Sequence, residues 1–188
     1  MHSVLDVVVL SSVAYVGTMF DNYFAFVAQL LVTEPTRYRR VSIAQAVGVT
    51  ALVIVAAAVG SALTAVPAQW TGLFCLAPWS MAWFRWRHRD ARATTTYRRG
   101  AITTAAVTIA LGGDNLGVWI PLLRADGVVD GILTVFVFAF FEVLFLLSAR
   151  ALTRHPGVST VGETTARRLV PWIYVALGIL ILVESGLL

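Results

Sequence analysis

The chain has 188 residues, 59% of them hydrophobic and only 13% charged, with a formal net charge of +4 and a mean hydropathy of +0.81. Soluble domains average about 25% charged residues, so a water-soluble enzyme or binding module does not fit this balance. The pI near 9.8 does not indicate nucleic-acid binding either, because the basic residues fall in short loops between apolar stretches.

Apolar windows of about 20 residues, the length that crosses a bilayer core, predict six spans. The first, about 5–32, carries Asp21 and Asn22 in its middle. The second, about 41–64, carries Gln45 near one end. The third, about 69–84, is short and contains Pro78. The fourth, about 101–123, carries Gly112, Gly113, Asp114 and Asn115, with Gly117 and Pro121 just beyond. The fifth, about 129–150, has Glu142 at mid-span, and the sixth covers about 169–187. Little sequence is left for a soluble unit, so residues 1–188 form a single transmembrane domain of all-α class. The N-terminus lacks a basic segment and the first span is too long for a signal-peptide core, so no cleaved leader is expected.

The fourteen basic residues are all arginine. Thirteen fall in the connections after spans one, three and five, and only Arg124 lies on the other side. Short basic loops stay cytoplasmic, which places both termini outside. Span one then runs inward and span four outward. The expected architecture is six transmembrane helices in two inverted three-helix repeats: repeat one 1–84, a cytoplasmic basic loop 85–100, and repeat two 101–188. Inverted repeats commonly hold a transporter's substrate near the midplane.

Asp21-Asn22 and Asp114-Asn115 lie 93 residues apart, each at the matching place in its half. A carboxylate at bilayer depth costs about 2.5–3.5 kcal/mol even on lenient scales, and no arginine lies within any span to pair with it. A cation or protons are the remaining compensation. Gly112, Gly113 and Pro121 would loosen the fourth span and free carbonyls beside the acid, although the glycines also suit close helix packing. Carbonyls, carboxylates and carboxamides together make an oxygen-rich cation site. Gln45 would add an oxygen ligand or, the simpler reading, hold two helices together. Glu142 has three readings: a further ligand, a proton-carrying carboxylate, or a residue facing lipid or a partner. Thr18 and Thr108 suit bonds back to their own helices. Met19 and the single cysteine, Cys75, read as packing, and the scattered His2, His88 and His155 form no zinc motif. Trp70, Trp119 and Trp172 suit an interfacial belt. Small residues such as Gly48, Ala56, Ala57, Ala58 and Gly60 would serve packing within one chain or in a homodimer equally.

Several segments together resemble the CadD-type cadmium resistance transporters of the LysE exporter superfamily. They are FDNYFAF, SIAQAVG, GLFCLAPWSMAW, GGDNLGVWIPLL and the C-terminal VGETTARRLVPWIYVALGILILVESG with Gly162, Pro171, Tyr174, Gly178 and Glu184. The resemblance implies efflux of a divalent metal, typically cadmium, across a prokaryotic cytoplasmic membrane. By position it carries over Asp21, Asp114, Asn115 and Gln45, with Asn22 beside them; Glu142 matches no family motif. The metal would be the transported substrate, with protons as the coupling ion, no resident cofactor and no enzymatic turnover. The glycines at 112–113 lack the Gly-Lys-Ser/Thr of a phosphate-binding loop, so a secondary-active exporter is expected. Export of an amino acid or other small solute is the alternative, and an intramembrane enzyme using the aspartates as acid and base is the third reading. An oxygen-rich site by itself suits manganese, calcium or magnesium better than a soft metal.

Overall fold

A computed structural model describes residues 3–65, 73, 75–87, 104–105, 108–109, 112–154, 172, 175–176, 178–179 and 182–183. These residues are helical apart from short caps and turns, and no strand occurs among them.

Helix α1 (Val4–Leu31) begins at a capping box. Asp6 N–H donates to Ser3 Oγ at 3.2 Å, and Ser3 N–H donates to Asp6 Oδ2 at 3.0 Å. This satisfies two of the donors that a helix start leaves open. The helix stops before Pro35, whose ring disfavours helical backbone at the preceding residue. A short 3-10 turn, Pro35–Arg37, leads into α2 (Tyr38–Ala62), followed by a second 3-10 turn at Leu63–Ala65. Helix α3 (Leu76–Arg87) has Pro78 in its first turn, where a missing N–H costs little. Helix α4 runs over Gly113–Leu152, interrupted at Gly127, which adopts φ 66°, ψ −158°. The Trp119 and Phe138 rings, eight residues before and eleven after that glycine, stand 4.9 Å apart. In a straight helix the same nineteen residues would span about 28 Å. The chain therefore reverses at Gly127, and the two arms of α4 are the later part of the fourth apolar window and the fifth window folded into a hairpin.

Among the described residues, two stretches are long and apolar enough to cross a membrane, Pro35–Ala65 and Asn115–Leu152, the latter containing the reversal at Gly127, and Val4–Phe20 with Asn22–Leu31 makes a third as a bent pair. The sixth window is described only at scattered helical residues between 172 and 183, and residues 88–103 lie outside the description.

Partner pairs give the directions. Gln29 meets Thr104, Met19 meets Asn115 and Thr18 meets Trp119, so α1 and the fourth span run antiparallel. Gly48 abuts Thr108 and Gly60 abuts Ile120, so α2 runs parallel to the fourth span. Ser11 meets Thr134 and Phe26 meets Phe145, so the second arm of α4 runs parallel to α1. Trp86 packs on Trp172 and Trp79 Nε1 donates to the Val175 carbonyl, so α3 and the C-terminal segment are antiparallel. Helix α1 and the fourth window, and α3 and the C-terminal segment, are thus each in contact and opposed. Among the described residues, Arg124 lies beside the C-terminal end of α2, while the hairpin pairing puts Arg150 with Arg37, Arg39 and Arg40 at the other end.

The surface fits a lipid environment. On the second arm of α4, Phe136, Phe140, Val143 and Leu147 form an exposed helical stripe, while Thr134, Phe138, Glu142, Phe145 and Ala149 form the buried one. In lipid an exposed apolar face costs nothing, so association rests on close packing and internal hydrogen bonds. Gly60 illustrates this: a Cβ there would lie 3.1 Å from the Ile120 carbonyl oxygen.

Candidate metal centre

Both Asp-Asn motifs fall at helix breaks. Helix α1 bends by 50° at residue 21. Gly17 and the Thr18 hydroxyl, which donates to the Ala14 carbonyl at 2.8 Å, loosen its ladder just before the bend. In the fourth span, Gly112 is a turn residue (φ −86°, ψ 4°) between helical residues upstream and the start of α4. Its N–H donates to the Thr108 carbonyl at 2.8 Å and its carbonyl accepts from Asn115 N–H at 3.1 Å. The two adjacent glycines differ in role. A Cβ on Gly112 would collide with Leu52 and come within 2.8 Å of the Thr108 carbonyl oxygen, whereas one on Gly113 would meet nothing within 4 Å. Close packing explains Gly112 alone.

The motifs meet at a sulfur atom. Asn115 Nδ2 donates to Met19 Sδ at 3.1 Å and Asn22 Nδ2 donates to the same atom at 3.5 Å. Met19 is 2% exposed, Asn22 7% and Asn115 0%. The backbones of Asp21 and Asp114 adjoin these asparagines in sequence; the side chains of both aspartates lie outside the described residues. Among the described residues no three His, Cys, Asp or Glu side chains gather.

The other sequence-derived candidates stand on either side of this crossing. Toward one end, Gln45 Oε1 accepts from Thr108 Oγ1 at 2.5 Å, and its buried Nε2 has no partner among the described residues. Thr108 also bonds back to the Thr104 carbonyl at 2.9 Å, and Thr104 Oγ1 accepts from Gln29 Nε2 at 2.5 Å. Gln45 therefore does hold α2 to the fourth span. Toward the other end, Glu142 Oε2 accepts from the Tyr15 hydroxyl, while Glu142 Oε1 is buried without a partner among the described residues. Glu142 is 7% exposed and belongs to the inward stripe, which removes the lipid-facing reading. Tyr15 lies four residues before Met19, about 6 Å along the helix axis, so Glu142 is joined to α1 one turn away from the motif crossing.

Trp119 is a correction to the interfacial-belt expectation. It is fully buried, stacked on Tyr15 at 6.0 Å, and its Nε1 donates to Thr18 Oγ1 at 3.1 Å. Thr18 thereby serves both its own helix and the fourth span. Trp172 is exposed, and Trp70 lies outside the described residues.

Tyr15 and Met19 were not singled out as site residues by sequence reasoning. A signal was present: Ser11, Tyr15, Thr18, Asn22 and Gln29 recur at helical spacing and line one buried face of α1. Met19, one residue beside that stripe, reads as core from sequence alone.

The family model for cadmium resistance transporters matches residues 15–188. No curated protein and no solved structure matches the chain.

Proposed function

The chain belongs to the cadmium resistance transporter family, and we propose that it is a secondary-active exporter of a divalent metal ion, cadmium or a related cation, across the cytoplasmic membrane. The observation that carries the site assignment is the meeting of Asn22 and Asn115 on Met19 where two antiparallel spans break. Each asparagine adjoins an aspartate in sequence. Asp21 and Asp114 supply two negative charges, Asn22 and Asn115 supply carboxamide oxygens, and Gln45 steadies the crossing from α2.

Charge balance gives the cycle. A site at bilayer depth is best kept neutral, because an uncompensated charge there is costly. Two carboxylates neutralise one divalent ion; without it, two protons do the same. Metal entering from the cytoplasm displaces one proton from each aspartate, and protons taken up from outside release it. Glu142, held by Tyr15 one turn away, is suited to carry protons to and from the aspartates without itself binding the metal. The opposed pairs, spans one and four and spans three and six, support two inverted three-helix repeats that rock about this crossing. The arginine-rich end then faces the cytoplasm and both termini lie outside.

The test is cadmium accumulation in inside-out vesicles under an imposed pH gradient. Asp21→Asn and Asp114→Asn should each abolish accumulation at normal protein level. Substitution of Gln45 or Asn115 by Ala should weaken it less, since each removes a neutral group. Wild-type transport by either aspartate variant would refute the site.

A further inference from the structure

An oxygen-only cage would favour hard cations, yet the atom at the meeting point of the two motifs is a thioether. We propose that Met19 Sδ is a direct ligand of the transported ion and gives the site its preference for soft metals over hard ones; this rests on the metal centre assigned above.

Three observations carry it. The sulfur is reached from two different spans, by Asn115 Nδ2 at 3.1 Å and Asn22 Nδ2 at 3.5 Å. A thioether is only a weak acceptor, so two buried carboxamides aimed at it make poor hydrogen bonds. They do, however, converge on its lone pairs. A half-turn of each amide about its last torsion replaces Nδ2 by Oδ1 with little change of shape. The group that donates to sulfur then presents oxygen to an ion beside that sulfur. The second observation is placement. Met19 stands two residues before Asp21, and its sulfur touches the residue that follows Asp114, so one atom adjoins both acidic motifs. The third is asymmetry. At the 93-residue offset that superposes the motifs, the position matching Met19 is Gly112, where a Cβ has no room. The site therefore offers one thioether and not two. One soft ligand among oxygens suits a cation that must be captured and then released.

Packing alone would also place a methionine here, since its flexible chain fills irregular gaps. The two roles separate on Met19→Leu, which keeps volume and apolar character but removes sulfur. Cadmium K-edge X-ray absorption on the purified, cadmium-loaded protein reads the ligand directly. A sulfur shell is expected in the wild type and in Cys75→Ser, which removes the chain's only thiol, and should be absent in Met19→Leu. In competition titrations, Met19→Leu should lose cadmium affinity by about tenfold or more, the scale on which metal sites respond to altered ligation, while manganese affinity stays within about twofold. No sulfur shell in the wild type, or an unchanged shell and cadmium-to-manganese ratio in Met19→Leu, would overturn the proposal. Failure of the metal centre itself reads differently: Asp21→Asn and Asp114→Asn would then transport both metals normally, whatever the state of position 19.

Discussion

Gly112 and Gly113 are neighbours in sequence, yet the structure assigns them opposite tolerances. In Gly112→Ala the new methyl must enter space held by Leu52 and by the Thr108 carbonyl oxygen, 2.8 Å from the Cβ position. The leucine tip can rotate away. The carbonyl cannot, because it already accepts the Gly112 N–H at 2.8 Å and belongs to the backbone of the fourth span. Overpacking of this kind costs about 1–3 kcal/mol, and the relaxation would shift the break that precedes Asp114. In Gly113→Ala the methyl meets nothing within 4 Å among the described residues, and the residue has ordinary helical backbone. Replacing a helical glycine there should stabilise by about 0.5–1 kcal/mol. The assay is paired: thermal unfolding of both variants in detergent, and cadmium accumulation in vesicles. Gly112→Ala should unfold at lower temperature and transport poorly. Gly113→Ala should match or exceed the wild type in stability and keep transport. Equal behaviour of the two would refute the close approach of α2 to the break.

Glu142→Gln should leave cadmium binding intact and remove the dependence of transport on the pH gradient, measured by titration beside vesicle flux; loss of binding would make Glu142 a ligand instead. For topology, Ser3→Cys should react with an impermeant thiol reagent added outside sealed cells, and Ala91→Cys should react only after permeabilisation; labelling at position 91 from outside would reverse the orientation.

The helices were legible where an apolar run met a defined stop. Span one was expected at about 5–32 and α1 occupies Val4–Leu31, because Ser3 and Asp6 cap one end and Pro35 closes the other. The reversal between spans four and five was legible because Arg124, Asp126 and Asp130 interrupt the apolar run around Gly127. The crossing of the two motifs was hinted at by their matched positions. What sits at the crossing was not, because a methionine in an apolar helix has the same local pattern whether it packs or ligates. Trp119 misled for a related reason. An indole needs one hydrogen-bond acceptor, and the bilayer interface is the usual supplier. Here Thr18 supplies it from a helix about a hundred residues away in sequence, which no local window contains. Glu142 and Tyr15, 127 residues apart, are the same case.

The polar face of α1 also bears on how the protein is made. Ser11, Tyr15, Thr18, Met19 and Gln29 each take a partner from between residues 104 and 142. The ribosome delivers α1 to the bilayer long before those partners exist. During that interval Thr18 can still bond back to the Ala14 carbonyl and Asn22 to Met19, but Ser11, Tyr15 and Gln29 lack the distant side-chain partners they meet in the folded chain. Each bond is worth only about 0.6 kcal/mol on average in a membrane setting, so the five together contribute roughly 3 kcal/mol. That sum arrives only when residues 104–142 pack beside it. These contacts thus act as a latch between α1 and residues 104–142, open until that later segment lies against it.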